Sequence, residues 1–305
     1  MYEQISRNKR LSYVLIVVMT ALLIMFGYAI GFAATGVGWF GLAIAVILAV
    51  VMSLISYYKG DKIALATSRA RQVTHDEEPQ LFNVVEEMSI ASGNPMPAVY
   101  VINDSAPNAF ATGRDPEHSS IAVTTGLIEK MNREELQGVV AHEMSHVRNY
   151  DILFATLVGV MVGAIALMAD FFLRWSFWGG GRRSNNNSGP IAIVVMVVAL
   201  LLAILAPIAA RMVQLAISRK REYLADASAV ELTRNPNGLA NALEKIAGDP
   251  EVLEVANRAT AHLYIAQPIK KFEKKSRGLF DTHPPIQERI AVLRAMASGS
   301  AGSAD

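Results

Sequence analysis

Four long apolar stretches dominate the pattern of hydrophobic and polar positions along this chain. They cover approximately Leu11–Ala33, Trp39–Tyr57, Ile152–Phe172 and Pro190–Ala210. Each is close to the ~20 apolar residues that a helix needs to cross the hydrocarbon core of a bilayer. The pattern therefore predicts four transmembrane helices. The last two stretches could instead form a buried hairpin of a soluble domain, but their apolarity on all sides favours contact with lipid.

The segments outside the apolar stretches have the periodicities of ordinary water-soluble structure. A helix is predicted from Asn132 onward, because Asn132 and Glu135 have the spacing of an N-cap and its reciprocal partner. Its apolar face, at helical spacing, consists of Leu136, Val139, Val140 and Met144. The stretches AVYVIN, NAFAT and SIAVTT are predicted to be short strands, since β-branched and aromatic residues fill them and Asn, Pro or Gly interrupt them. The predicted fold class is α+β, a mainly helical membrane protein with a small sheet.

Basic residues beside the apolar stretches predict the orientation of the helices. Cytoplasmic loops of membrane proteins carry an excess of lysine and arginine. Clusters of this kind lie before the first stretch, after the second and after the fourth: Arg7, Lys9 and Arg10; Lys59, Lys62, Arg69 and Arg71; Arg219, Lys220 and Arg221. Both termini and residues 58–151 are therefore expected in the cytoplasm, although Arg182 and Arg183 in the opposite loop weigh weakly against this orientation.

The chain is thus predicted to alternate between membrane and cytoplasm. Residues 1–57 would form the first two transmembrane helices. Residues 152–217 would form the third and fourth, joined by an exoplasmic loop near 175–189. Residues 58–151 and 218–305 are then two cytoplasmic segments of one domain. The first helix is expected to be an uncleaved signal anchor, because its apolar run is too long for the core of a cleaved signal peptide.

Composition supports the membrane prediction and narrows the chemistry. The hydrophobic content of 52% and the mean hydropathy of +0.30 are typical of an integral membrane protein with attached soluble mass. A net charge of +1 gives no indication of a nucleic-acid partner. The chain contains no cysteine, so a metal site must use His, Asp or Glu.

The sequence AHEMSH at 141–146 places His-Glu-x-x-His on the predicted helix. His142 and His146 are one turn apart, which puts both imidazoles on one face. Such a pair can bind one zinc ion, and Glu143 can take a proton from a water that the metal activates. The alternative is coincidence in an amphipathic helix. The chain has only six histidines, which makes a coincidental match rare.

A third metal ligand is expected after the fourth apolar stretch, on the same side of the membrane as His142. A catalytic zinc ion usually has three protein ligands and one open position. The sequence SRKREYLADASAVEL places Glu222 and Asp226 one helical turn apart. Glu222 can bind the metal, and Asp226 can accept a hydrogen bond from a ligand histidine. The alternative is that both residues belong to a charged, solvated helix. The two histidines and Glu222 would lie near the cytoplasmic membrane surface.

These motifs together resemble a known family. HEMSH at 142–146, REYLAD at 221–226 and the order of the four apolar stretches are similar to the HtpX-type membrane zinc metalloproteases, relatives of the CAAX prenyl proteases among the gluzincins. The resemblance covers nearly the whole chain. It implies an endopeptidase of the bacterial inner membrane that uses one catalytic Zn²⁺ per chain, faces the cytoplasm and hydrolyses misfolded or damaged membrane proteins under stress.

The resemblance also implies roles for individual residues. The metal ligands would be His142, His146 and Glu222. Glu143 would be the general base, and Asp226 would hydrogen-bond a ligand histidine.

Two further stretches match the family. NAFATG at 108–113 is similar to its edge strand, which implies substrate binding by Asn108, Ala109, Phe110 and Ala111. DTHPPIQERI at 281–290 is similar to its carboxy-terminal histidine motif, which implies that His283 donates to the developing oxyanion. The alternatives are strands that only pack the domain and a surface histidine before a turn. The remaining histidines, His75, His118 and His262, match no motif and are expected to be ordinary surface residues.

The expected function is zinc-dependent hydrolysis of peptide bonds in polypeptide substrates, chiefly membrane proteins, beside the lipid bilayer. The alternative is a membrane scaffold or chaperone-like binding protein with a structural, four-ligand zinc. The glutamate beside the first histidine favours the enzyme, since a structural site does not need it. A transporter is disfavoured because few charges lie inside the spans. Neither nucleic acid nor nucleotide is an expected partner, and the sequence identifies no partner protease or chaperone.

Overall fold

A computed structural model describes residues 2–35, 38–161, 163, 219–254, 260–266 and 284–298 of the chain. The statements below concern these residues. About half of the predicted third apolar stretch and all of the fourth lie outside them. So do the loop near 175–189 and His283.

Two long helices open the chain, α1 (Tyr2–Thr35) and α2 (Gly38–Thr67). They pack against each other, and the hydroxyl oxygens of Thr20 and Ser53 lie 3.0 Å apart between them. They cover the first two predicted apolar stretches, and residues 151–161, at the start of the third, are also helical. Within the described part of the chain, no helix meets the length and apolarity that a membrane crossing requires. Four transmembrane helices therefore remain a prediction.

A four-stranded mixed sheet follows α2, with the strand order β1-β2-β4-β3. The strands are β1 (Arg71–Gln72), β2 (Ala98–Ile102), β3 (Ala109–Asp115) and β4 (His118–Thr124). β2 and β4 are parallel, whereas β1 with β2 and β3 with β4 are antiparallel pairs. The three predicted strands are confirmed. β3 lies at one end of the strand order, as expected of an edge strand.

The sheet buries apolar side chains on both faces, which alternate along each strand. On β3, Ala109 and Ala111 face one core cluster together with Ile121 of β4. Phe110 and Ala122 face a second cluster with residues near the end of α2. The sheet is therefore enclosed between two layers, and β3 is held firmly beside the helices that follow.

Six shorter helices complete the described structure: α3 (Pro79–Ser92), α4 (Thr125–Lys130), α5 (Arg133–Arg148), α6 (Arg219–Thr233), α7 (Pro236–Gly248) and α8 (Ile286–Ala297). α5 is central, because it packs against α3, α6, α7 and β3. The predicted N-cap is confirmed. Asn132 Oδ1 accepts from the Glu135 amide at 2.9 Å, and the Asn132 amide donates to Glu135 Oε2 at 2.8 Å.

Two glycines permit the close approach of α5 and α7. A Cβ atom on Gly138 would lie 2.6 Å from the backbone nitrogen of Leu239. A Cβ atom on Gly238 would lie 2.7 Å from the carbonyl oxygen of Glu134. Both contacts are with backbone, which cannot move aside as a flexible side chain can. The absence of a side chain at these positions brings α7 onto the helix that carries His-Glu-x-x-His.

We predict that Gly138→Ala destabilises the protein although alanine is the better helix former. The clash should cost about 1–3 kcal/mol as overpacking, which exceeds the gain in helix propensity of up to ~1 kcal/mol. The apparent Tm, followed by far-UV circular dichroism in detergent, should fall by several degrees. Gly248→Ala is the matched control, because no atom lies within 4 Å of its Cβ position. Equal Tm values for the two variants would contradict the close-packing account.

Candidate metal centre

Three side chains converge where α5 meets α6. His142 and His146 lie on the buried face of α5, and Glu222 lies on α6. The two Nε2 atoms are 3.3 Å apart. His142 Nε2 lies 3.7 Å from Glu222 Oε2, and His146 Nε2 lies 3.7 Å from Glu222 Oε1. These three residues therefore lie together in the structure, as the sequence predicted.

The spacing of these donor atoms suits a single zinc ion. Two ligands at about 2.0–2.1 Å from a tetrahedral ion are separated by about 3.3–3.4 Å. The observed separations of 3.3 and 3.7 Å are close to that value. Two imidazoles and one carboxylate are also the ligand set of a catalytic zinc site with one open position. Among the residues that the structure describes, this is the one cluster of His, Asp and Glu side chains with metal-binding spacing.

His142 is oriented by a buried pair of charges. Its Nδ1 lies 2.9 Å from Asp226 Oδ1, as predicted for a carboxylate behind a ligand histidine. Arg289 of α8 holds the same carboxylate with two hydrogen bonds, Nη2 to Oδ1 at 2.6 Å and Nε to Oδ2 at 2.9 Å. Arg289 is 1% exposed, and its Nη1 donates to the Ile265 carbonyl at 3.0 Å. The guanidinium thus keeps Asp226 in one position.

The charges of this pair follow from its burial. Burial lowers the pKa of His142, although the hydrogen bond to Asp226 acts in the opposite direction, so the imidazole is neutral. Burial alone would raise the pKa of Asp226, but the charge of Arg289 and the hydrogen bonds from both neighbours hold it below its usual value. A neutral ring that keeps its proton on Nδ1 and donates it in a hydrogen bond to a carboxylate has Nε2 available as a metal ligand.

His146 has a carboxylate of its own. Its Nδ1 lies 3.1 Å from Asp151 Oδ2. Burial opposes protonation of His146, but the hydrogen bond to Asp151 and the charges of Glu222 and Asp151 raise its pKa to about 9. A metal cation binds the neutral imidazole and would displace this proton. Each histidine of the motif is therefore backed by a carboxylate on the nitrogen that points away from Glu222.

Glu143 lies beside the cluster and is 2% exposed. Burial raises the pKa of its carboxyl group to about 7, while the charge of His146 opposes this rise and the charge of Glu222 adds to it. A backbone hydrogen bond from Ala111 on β3 also lowers the pKa. A carboxyl group with a pKa near neutrality can both accept and return a proton.

The predicted substrate-binding residues lie at the beginning of β3 and are buried. The Ile265 amide donates to the Ala109 carbonyl at 2.9 Å. Asn108 Nδ2 donates to the Ala266 carbonyl at 3.1 Å. Phe110 faces away from the metal cluster and packs edge-on against Tyr264. Ala111 borders the same cavity as His142 and Glu143. Substrate contact by these residues stays a prediction.

One histidine prediction was wrong. His262 is not a surface residue but is 6% exposed, and its Nε2 lies 2.9 Å from the Ala155 carbonyl. It lines the cavity that contains the metal cluster. The exposure of His75 and His118 confirms the prediction for those two. The predicted oxyanion role of His283 falls outside the described residues.

Sequence reasoning missed Asp151 and Arg289. Arg289 had a signal, because it interrupts the apolar stripe of α8 formed by Ile286, Ile290 and Leu293. A charge inside such a stripe is buried only with a partner, which pointed to a buried carboxylate elsewhere. Asp151 had no comparable signal, since a carboxylate at the beginning of the next helix is also an ordinary capping residue.

Comparison with known proteins agrees with the family that the sequence motifs resemble. Residues 75–297 match the family model described as peptidase family M48. A "Protease HtpX homolog" of Streptococcus agalactiae is 48% identical over 297 residues, which cover 97% of this chain and 100% of the relative. Relatives of the same name in Caldanaerobacter subterraneus and Listeria monocytogenes are each 45% identical, over 97% of this chain and 98% and 100% of theirs.

A solved structure, S. mikatae Ste24p, aligns with a TM-score of 0.48 at 20% identity, covering 96% of this chain and 67% of that one. The family follows from the sequence matches alone. The chain belongs to peptidase family M48, which confirms the resemblance to HtpX-type proteases. It is a metallopeptidase that uses zinc, and its His-His-Glu cluster has the donors for that ion.

We predict that Arg289→Met weakens zinc binding by about 10- to 100-fold, the range found when the outer partner of a metal ligand is lost. The variant leaves Asp226 buried without its cation, which should also cost about 3–5 kcal/mol of stability. Arg289→Lys keeps the charge but loses the paired hydrogen bonds. Its zinc affinity should lie between that of Arg289→Met and that of the unaltered protein.

Zinc affinity would be measured by competition with a chelator of known affinity. Arg294→Met is the matched control on the same helix, because Arg294 binds Asn237, Asn241 and Glu244 at the surface. Zinc affinity of Arg289→Met equal to that of Arg294→Met would show that the buried arginine does not orient the site.

Proposed function

We propose that this zinc metallopeptidase of family M48 holds its catalytic ion with His142, His146 and Glu222 and uses Glu143 as general base to hydrolyse peptide bonds. The observation that carries the proposal is the position of Glu143. It is a buried carboxyl group whose pKa is raised to about 7, immediately beside three donor atoms with zinc spacing. A structural zinc site requires no such neighbour.

The roles of the residues follow from their contacts. Zinc, when bound, supplies a Lewis acid that polarises the scissile carbonyl and makes the attacking water more acidic. Glu143 accepts the proton of that water and returns it to the leaving amine. Asp226 with Arg289, and Asp151 on the other side, keep both imidazoles in the tautomer that presents Nε2.

We further propose that β3 guides the substrate. Its residue Ala111 borders the cavity of the metal cluster and contacts Glu143 through its backbone. β3 lies at the edge of the sheet, and an edge strand can pair with an extended backbone. An extended polypeptide bound along β3 would bring its carbonyl groups to the metal. His283 is our candidate for the oxyanion donor.

The substrates we propose are misfolded or damaged membrane proteins, cut on the cytoplasmic side of a bacterial inner membrane. Support comes from the apolar surfaces of α1 and α2. Val17 is 66% exposed, Trp39 is 73% and Ile47 is 63%. Large apolar side chains exposed along two helices are expected where the helices contact lipid or another protein. The basic clusters next to the apolar stretches favour a cytoplasmic catalytic domain.

We predict that Glu143→Gln abolishes proteolysis and leaves zinc in place. Loss of the base should lower turnover by about 10²- to 10⁴-fold, whereas no metal donor is removed. The assay compares cleavage of an unfolded polypeptide with bound zinc, counted in the same preparation. Glu134→Gln is the matched control, since Glu134 is an exposed residue of the same helix. Full activity in Glu143→Gln would sink the assignment of the base. Zinc without cleavage in the unaltered protein would favour a scaffold with structural zinc.

The proposed orientation can be tested with introduced cysteines, because the chain has none of its own. Asn186→Cys, in the predicted exoplasmic loop, should react with a membrane-impermeant maleimide in intact cells. Glu117→Cys, exposed between β3 and β4, should react only after the membrane is opened. The cysteine-free protein is the unlabelled control. The reverse labelling pattern would place the catalytic domain on the opposite side.

A further inference from the structure

Asn8 of α1 lies against the metal centre, although it is far from it in sequence. Its side chain is 3% exposed, whereas its neighbours Arg7 and Arg10 are exposed. Asn8 Nδ2 donates to Asp151 Oδ1 at 2.6 Å and to the Asn149 carbonyl at 2.9 Å. Both hydrogen bonds satisfy an amide that would otherwise be buried without a partner, which is costly. An apolar side chain would not need these acceptors, so the contact is specific to the amide.

Asp151 is shared between α1 and the metal ligand. Its Oδ2 faces His146 Nδ1, while its Oδ1 accepts from Asn8. Arg221 of α6 approaches both partners, with Nη1 at 3.2 Å from Asp151 Oδ1 and 3.4 Å from Asn8 Oδ1. Asn8 and Arg221 together fix the rotation of the carboxylate, and that rotation decides whether Oδ2 points at the imidazole.

The turn that carries Asp151 is also held by α1. Tyr150 has a φ angle of +59°, a left-handed conformation that non-glycine residues rarely adopt. Lys9 Nζ lies 4.0 Å from the centre of the Tyr150 ring. Asn8 bonds the Asn149 carbonyl immediately before it. α1 therefore contacts three consecutive residues of the turn between the His-Glu-x-x-His helix and the helical stretch at 151–161.

We infer that Asn8 is a positioning residue of the metal centre, which acts through Asp151 on His146, so that docking of the first helix sets the zinc affinity of the active site. This inference rests on the proposed metal ligands. In physical terms, the first helix supplies one of the hydrogen bonds that hold the outer carboxylate, and outer carboxylates contribute about 10- to 100-fold to metal affinity.

The test uses the full-length protein in detergent with Asn8→Leu, which keeps the number and branching of the side-chain heavy atoms and removes both hydrogen bonds. Thr20→Val is the matched control, because Thr20 joins α1 to α2 by a polar contact remote from the metal. Zinc affinity is measured by chelator competition. The absorption spectrum of the Co²⁺-substituted protein reports ligand geometry independently of activity. Should Asn8→Leu fail to fold, Asn8→Ser, which is too short to reach Asp151, replaces it.

We expect Asn8→Leu to bind zinc about 10- to 100-fold more weakly than Thr20→Val, with a changed Co²⁺ spectrum. Saturating zinc should restore most of kcat and leave KM unchanged. Asp151→Ala should show a similar loss, and the double variant should lose no more than Asp151→Ala alone. This non-additivity is the expected signature of a shared path.

Two results would overturn the inference: zinc affinity of Asn8→Leu within about twofold of Thr20→Val, or losses from Asn8→Leu and Asp151→Ala that multiply in the double variant. His146→Ala separates this failure from failure of the proposed site. If His146→Ala still binds zinc as the unaltered protein does, the proposed ligands are wrong. If His146→Ala loses zinc while Asn8→Leu does not, only the role of Asn8 is rejected.

Discussion

Each of two neighbouring imidazoles must present an unprotonated nitrogen to the same point, and the rest of this structure depends on how that is achieved. The two Nε2 atoms lie 3.3 Å apart in a buried site, where charged rings would repel each other. A carboxylate beside the far nitrogen of each ring accepts a hydrogen bond from the Nδ1 proton, which leaves Nε2 as the atom that can bind the metal. Asp226 does so for His142 and Asp151 for His146.

Those carboxylates bring distant parts of the chain together. Asp226 is buried, so it needs a cation, and Arg289 supplies it from α8. Asp151 needs donors on its other oxygen, which come from Asn8 on α1 and Arg221 on α6. Side chains from helices at both ends of the chain thus contact the carboxylates behind the two histidines. The site therefore depends on contacts among α1, α5, α6 and α8 and not on α5 alone.

The sequence predicted the local elements and one long-range cluster, that of Glu222 with the two histidines, and missed the other long-range contacts. The α5 helix, its Asn132 cap and three strands follow from propensity and periodicity, which act over a few residues. Glu222 and Asp226 were predicted because they lie one helical turn apart, as His142 and His146 do, and on the same predicted side of the membrane. Asp151, Asn8 and the buried side of His262 depend on tertiary contacts between segments that no periodicity links. Arg289 was recognisable as a charge within an apolar stripe, but its partner was not.

Both histidines would thus bind zinc through Nε2, because a carboxylate holds each Nδ1 proton. The most direct measurement is a crystal structure of zinc-loaded Glu143→Gln protein with an anomalous difference map at the zinc absorption edge. We expect one zinc peak at about 2.0–2.2 Å from the Nε2 atoms of both histidines and from a Glu222 oxygen, with Asp226 and Asp151 hydrogen-bonded to the Nδ1 atoms. A peak bound through either Nδ1, or away from Glu222, would contradict binding through Nε2 at this site.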